Sequence, residues 1–145
     1  MRLTLLKSAK APDHMADMGE HTFTYSLYPH CGNVTAGGTI AEANRLNLPA
    51  QVFPGTVSDS RRLVCLDSDH IQLDVIKKAE DEDCLIVRMH ECRGDRGPAS
   101  FSSEFDVKRI VPCNLVEHDV GDAVEGNRID FTVGPFEIKT FKLYF

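Results

Sequence analysis

The chain has 145 residues, of which 42% are hydrophobic and 26% are charged, an ordinary composition for a folded globular protein. A chain of this length can bury about 70% of its unfolded surface in a single core, so we predict one domain over residues 1–145. Sixteen Lys and Arg residues against 22 Asp and Glu residues give a formal charge of −6. This acidic balance argues against a nucleic-acid-binding protein, which needs a basic surface.

The first ten residues do not resemble a targeting or membrane segment, because their apolar core is too short. The alternation of Leu3 and Leu5 with polar residues predicts a strand there. The chain has five cysteines, an odd number, and no Cys-x-x-Cys pair. We therefore expect reduced cysteines, a cytoplasmic location and no association with a membrane.

Residues 22–28 have the alternating pattern of a half-buried strand. Phe23, Tyr25 and Leu27 fall on one face and polar side chains on the other. Pro29 lacks an amide proton and is expected to end this strand or confine it to a sheet edge.

One helix is predicted at about residues 39–46. Thr39 is expected to cap its N-terminus, and Glu42, three residues on, would complete a capping box. Ile40, Ala43 and Leu46 share one face at helical spacing.

From residue 62 onward, short apolar runs alternate with turn residues. Residues 71–75 and 85–90 alternate apolar and polar side chains, and the stretch between them at 79–83, Ala-Glu-Asp-Glu-Asp, predicts a hairpin turn. Residues 125–127, Glu-Gly-Asn, have the composition of a second hairpin turn. Residues 136–145 change the phase of their alternation, which predicts a β-bulge. The fold class is therefore mainly β, an antiparallel β-sandwich with one short helix.

Residues 17–30 follow the pattern Asp-x-Gly-x-His-x-Phe-x-Tyr-x-Leu-x-Pro-His. This pattern resembles a signature in the C-terminal region of the glycoside hydrolase family 38 α-mannosidases. Further stretches resemble the same region in the same order: residues 43–49, 75–81 with 85–88, and 135–140. The resemblance spans nearly the whole chain. Several matches in the same order are more specific than any single match.

The resemblance implies a β-sandwich and a role within a longer enzyme. In that family, the zinc ligands and the nucleophilic aspartate belong to an N-terminal catalytic domain, and nothing in this sequence corresponds to it. The resemblance therefore implies the C-terminal domain of a zinc-dependent retaining α-mannosidase, which hydrolyses terminal α-mannosides. We expect this chain to be inactive alone, to contain no cofactor, and to expose an apolar patch where the catalytic domain would pack.

Asp17, Gly19, His21, Tyr28 and His30 are the candidate site residues. By resemblance, residues 17–30 could face the catalytic domain and contact the substrate or the domain interface. Gly19 permits a tight turn that would aim His21. The competing interpretation is a strand edge whose histidines form only local hydrogen bonds.

No catalytic or metal-binding residues are predicted within the chain. The six histidines are scattered without a ligand spacing, and His21 and His30 would lie about 30 Å apart on an extended strand. A glycosidase pair of carboxylates must stand about 5–10 Å apart across a sugar. The carboxylates that lie close in this sequence are better explained as turn or solvated residues, since nothing positions one of them as a buried acid.

Two other functions remain open at this point. One is a stand-alone carbohydrate-binding β-sandwich, which the absence of Trp disfavours. The other is an assembly domain without catalysis, and homo-oligomerisation is also left open.

Overall fold

A computed structural model describes residues 2–145. The chain forms two compact units, one ending at Pro54 and the other covering Gly55–Phe145. Of the described residues, the first unit contains the one α-helix and the second contains all eight strands. Nothing helical in residues 2–145 has the length and apolar character needed to span a membrane.

Helix α1 covers Thr39–Asn47, close to the prediction, but its N-terminus differs. Gly38 is the N-cap residue, with a left-handed φ of 68°, and no side chain caps the helix. The Thr39 hydroxyl instead contacts Nε2 of His30 at 3.1 Å. The predicted capping box is therefore wrong, because the chain turns sharply at Gly38 and the Thr39 hydroxyl contacts His30 instead of a backbone amide of the helix.

The strands predicted around Leu3 and over residues 22–28 do not form. A strand needs a neighbouring backbone to satisfy its amide and carbonyl groups, and no described residue pairs with these segments. Phe23, Tyr25 and Leu27, the predicted apolar face, are all exposed.

The second unit consists of two antiparallel sheets. The strands are β1 Cys65–Leu66, β2 Ile71–Lys78, β3 Leu85–Glu91, β4 Gly97–Ser102, β5 Arg109–Cys113, β6 Val124–Glu125, β7 Arg128–Val133 and β8 Ile138–Tyr144. One sheet has three strands in the order β1-β4-β7, and the other has five in the order β2-β3-β8-β5-β6.

The two sheets share one hydrophobic core. Phe101 of β4 and Ile129 of β7 pack in the same buried cluster as Val87 of β3 and Phe141 and Leu143 of β8. The antiparallel β-sandwich with one short helix is thus confirmed. Each strand contributes one apolar face to this core, and the outer faces of β3 and β8 also bear buried side chains, such as Ile86 and Lys142.

Two local predictions in this unit are wrong. Residues 125–127 do not close a hairpin, because β6 pairs with β5 in one sheet and β7 with β4 in the other. The turn instead carries the chain between sheets. Strand β8 has no bulge, since its register is continuous against both β3 and β5. The bulge lies in β2, between Leu73 and Val75.

Candidate functional site

Asp17, Gly19 and His21 form one local turn. Asp17 has a left-handed φ of 59° and Gly19 a φ of 125°, so the chain reverses sharply here. Nε2–H of His21 donates to the Asp17 carbonyl at 3.0 Å, and the Asp17 carboxylate accepts the Ser8 amide at 3.1 Å. The turn therefore aims His21 back at its own backbone.

Tyr28 and His30 form a second cluster beside helix α1. Their rings lie 5.5 Å apart, centroid to centroid. The Tyr28 hydroxyl donates to the Gly37 carbonyl at 3.1 Å. Nδ1–H of His30 donates to the Cys31 carbonyl at 3.2 Å, so in the neutral ring Nε2 accepts the Thr39 hydroxyl. These contacts fix both rings against the turn that leads into the helix.

Replacing Gly37 with alanine is expected to displace His30, because a Cβ at this position would collide with the imidazole ring. The Thr39 contact would be lost, at a cost of about 1 kcal/mol. NMR of the labelled variant should show the His30 ring resonances and the Thr39 amide shifted. Gly97→Ala is the matched control, since a Cβ there meets no atom within 4 Å. Unchanged His30 resonances in the Gly37→Ala variant would contradict the described packing.

The predicted site residues thus fall into two groups. Among the side-chain hydrogen bonds of residues 2–54, none joins the Asp17–His21 turn to the Tyr28–His30 cluster. Each histidine bonds within a few residues of itself or to the neighbouring helix. This is the geometry expected of histidines that form only local hydrogen bonds. Of the five predicted site residues, Tyr28 also lines a surface cavity.

A surface cavity of about 400 Å³ lies next to Tyr28 within the first unit. It has apolar, hydroxyl and charged groups, including the ion-paired Glu42 and Arg45. Its lining residues are Ser26, Tyr28, Thr39, Glu42, Ala43, Arg45 and Leu46. Such a mixture of one aromatic ring with convergent polar groups suits a small polar ligand.

Sequence reasoning missed the helix residues of this cavity. Thr39, Glu42 and Leu46 share a helix face at spacings of three and four, a signal that was present in the sequence. What the sequence did not show was that Tyr28 lies beside this face, because the contact depends on the turn through Gly37 and Gly38.

Residues 2–145 do not form a complete zinc site by themselves. No group of three or more His, Cys, Asp or Glu side chains converges anywhere in residues 2–145, whereas a catalytic zinc needs three protein ligands.

The second unit contains a buried polar cluster around Lys142, whose side chain is 3% exposed. Its ammonium pairs with Glu82 and, at 2.8 Å, with Asp119. Burial alone would lower the pKa of Lys142, but hydrogen bonds to Asp119 and Glu82 outweigh it and raise that pKa. The raised pKa favours the charged ammonium and disfavours a nucleophilic amine, and the two ion pairs tie Glu82 and Asp119 to strand β8.

The same region disfavours cysteine chemistry. All five cysteines are free thiols, and Cys84 and Cys113 are buried. Burial raises the pKa of Cys113 to about 11 and also raises that of Cys84. A nucleophilic cysteine needs the opposite shift.

Comparison with known proteins decides the family. The sequence model for the glycosyl hydrolases family 38 C-terminal beta sandwich domain matches residues 70–141. The chain belongs to this family. The matched residues cover most of the two-sheet sandwich described above, so the fold and the family agree.

Several α-mannosidases resemble the chain along nearly its whole length. Alpha-mannosidase G of Dictyostelium discoideum is 34% identical over 97% of the chain. Alpha-mannosidase 2C1 of Mus musculus is 33% identical over 99%, and the alpha-mannosidase of Saccharomyces cerevisiae is 32% identical over 100%. The chain spans only 14%, 15% and 16% of these relatives, respectively. The similarity therefore concerns a small part of each relative.

Proposed function

We propose that this family 38 chain acts as the C-terminal β-domain of a longer zinc-dependent retaining α-mannosidase. The observation that carries the proposal is its similarity to α-mannosidases over 97–100% of its own length but only 14–16% of theirs. The longer enzyme would hydrolyse terminal α-mannosides, and this chain would support the catalytic part without catalysing the reaction.

The carboxylates of this chain fit a supporting role. A retaining glycosidase needs a nucleophilic carboxylate and a general acid whose pKa is raised. The carboxyls of Asp67 and Glu91 have pKa values lowered to about 2, the opposite of what a general acid needs. Hydrogen bonds from Ser100 dominate at Asp67, whereas at Glu91 backbone amides outweigh the opposing effect of burial. Both carboxylates accept hydrogen bonds that join loops and strands.

The first unit supports the proposal of a missing catalytic partner. None of residues 2–54 is buried, although many are large and apolar. Met18 is 70% exposed, Leu27 74% and Phe53 77%. Exposed apolar side chains at this density are typical of a surface that another domain covers. We infer that the catalytic part of the longer polypeptide packs here.

Residues 17–30 would then contribute to this interface. The turn around Gly19 holds His21, the Gly37 carbonyl holds Tyr28, and Thr39 of helix α1 holds His30. In the proposed assembly Asp17, Gly19 and His21 shape one edge of the contact. Tyr28 borders the cavity beside helix α1, where it would form part of the active-site wall, and His30 would support it by packing against the Tyr28 ring.

We also propose a cytoplasmic location for the protein. Five free thiols, two of them buried, support a protein that folds with reduced cysteines.

A second candidate function is carbohydrate binding by the chain alone. The cavity next to Tyr28 favours it, since an aromatic ring with nearby polar groups suits a sugar. Titrating the labelled chain with methyl α-mannoside separates the two functions. Shifts confined to the lining residues would favour sugar binding, and their absence would eliminate it.

The activity test compares the native protein with the 145-residue chain. Protein captured from the source cells with an antibody against this chain should hydrolyse an aryl α-mannoside, lose activity with a chelator and regain it with zinc. The purified chain should give no hydrolysis above buffer. Hydrolysis by the purified chain, or none by the captured protein, would contradict the proposal.

A further inference from the structure

The sandwich has four sheet edges, and only one of them is long and unprotected. Edge strands β1 and β6 have two residues each. Strand β2 has eight, but a bulge interrupts it and Lys77 and Lys78 end it. Short length, bulges and charged side chains, especially lysines, are the usual protections against pairing with another chain. Strand β7 has no lysine and is neither short nor bulged, since its six residues pair with β4 in an unbroken register. Its charged side chains, Arg128 and Asp130, form an ion pair with each other.

The hydrogen bonds of Ser100 show which backbone groups of β7 face the open edge. The Ser100 amide donates to the Asp67 carboxylate at 2.9 Å, and its carbonyl accepts the Asp67 amide at 3.3 Å. Both groups of Ser100 therefore point away from β7. Asp130 lies directly opposite Ser100. When two opposite residues of an antiparallel pair exchange no hydrogen bonds with each other, both direct their backbone groups away from the pair. The backbone groups of Asp130 therefore face the open edge.

Alternation extends this result along the strand. The backbone groups of Arg128 and Thr132 have the same direction as those of Asp130, because each lies two residues away. Pro98, which has no amide proton, is opposite Thr132, consistent with a pair that exchanges no hydrogen bonds. Three amides and three carbonyls thus line one edge, and no other strand of residues 2–145 pairs with them.

The side chains of β7 alternate in the same way. Ile129 and Val133 are buried between the sheets and Phe131 is half-buried. Arg128, Asp130 and Thr132 are exposed. The three-stranded sheet is also narrower than the five-stranded sheet that it faces. The open edge therefore has both free backbone groups and a continuing apolar face.

We propose that an extended segment of the longer polypeptide adds to β7 as a fourth strand of this sheet. The inference rests on the proposed function, since the chain is only 14–16% of the length of its α-mannosidase relatives. Most of such a polypeptide lies outside this chain and is available to supply the strand. Its inward side chains would be apolar, next to Ile129, Phe131 and Val133.

Hydrogen exchange tests the added strand directly. In the 145-residue chain, the amides of Arg128, Asp130 and Thr132 should exchange fast, and those of Ile129, Phe131 and Val133 slowly. In the native longer protein, captured with an antibody against this chain, all six should exchange slowly. Hydrogen exchange at the three edge amides should be about tenfold slower, or more, in the longer protein than in the 145-residue chain.

A matched pair of variants of the longer protein tests the same bonds. Thr132→Pro removes one edge amide and leaves the bonds between β7 and β4 intact. It should accelerate exchange at Arg128 and Asp130 by about tenfold. Thr132→Val keeps the amide and the branched shape, and should leave exchange unchanged.

The outcomes separate this inference from the proposed function. Fast edge amides in a longer native protein with α-mannosidase activity would overturn the added strand alone. Slow edge amides in a longer protein without that activity would support the strand and overturn the enzymatic proposal. A native protein of 16.1 kDa would overturn both. Protection that rises with concentration in the chain alone would assign the edge to a second copy and overturn the inference.

Discussion

Replacing Phe141 with alanine is expected to destabilise the second unit by about 4 kcal/mol, because it opens a cavity at the centre of the sandwich. Phe141 is 2% exposed. Its ring centroid lies 5.2 Å from that of Phe101 and 5.1 Å from that of Phe131, both in the opposite sheet. The loss should appear as a lower urea midpoint, measured by circular dichroism, with an unchanged m-value.

Two further variants make the Phe141 experiment interpretable. Phe145→Ala removes the same side chain from a position that is 45% exposed, and should cost less than about 1 kcal/mol. Phe141→Leu retains most of the volume and should cost about 1 kcal/mol, so it reports on the site if the alanine variant does not fold. Equal losses for Phe141→Ala and Phe145→Ala would contradict the described core.

Replacing Glu91 with glutamine is expected to cost about 3 kcal/mol, because a buried amide group would face backbone donors. Glu91 is fully buried at the end of β3. Its carboxylate accepts the amides of Arg93 and Gly94, each at 2.8 Å, and that of Phe136 at 2.9 Å. These bonds join two loops to the sheet. The exposed Glu125, changed in the same way, should lose less than about 0.5 kcal/mol.

The contribution of the Glu91 carboxylate to the free energy of unfolding should depend on pH. Burial alone would raise its pKa, but backbone amides outweigh this and lower the pKa from 4.5 to about 2. A lowered folded-state pKa contributes stability above the unfolded value of 4.5, which is lost as the pH falls toward 2. The stability difference between wild type and Glu91→Gln should therefore narrow by about 2 kcal/mol between pH 6 and pH 3. A difference that stays constant over this range would contradict the role of the carboxylate.

The strands of the sandwich were predictable because apolar and polar residues alternate along them. In β3, Leu85, Val87 and Met89 enter the core and Arg88 and His90 lie on the other face, as the alternation indicates. The sheet partners were not predictable in the same way. Residues 125–127 look like a hairpin turn, but which strand β7 joins depends on packing between distant residues.

The candidate site was less predictable than the fold. Residues 22–28 have a strand pattern without a paired strand in residues 2–145, because alternation reports a buried face and does not supply a partner. The capping box failed at Thr39 because its hydroxyl contacts His30. Sequence alone also could not show that Tyr28 and helix α1 border one cavity.

The mass of the native protein tests most directly whether the chain belongs to a longer α-mannosidase. An antibody against this chain should detect a band near 100 kDa in an immunoblot of the source cells. That value follows from dividing 16.1 kDa by the 15% of a relative that the chain spans. Removing the band with the antibody should remove α-mannosidase activity from the extract. A single band at 16.1 kDa, with the activity left in the extract, would contradict the proposed function.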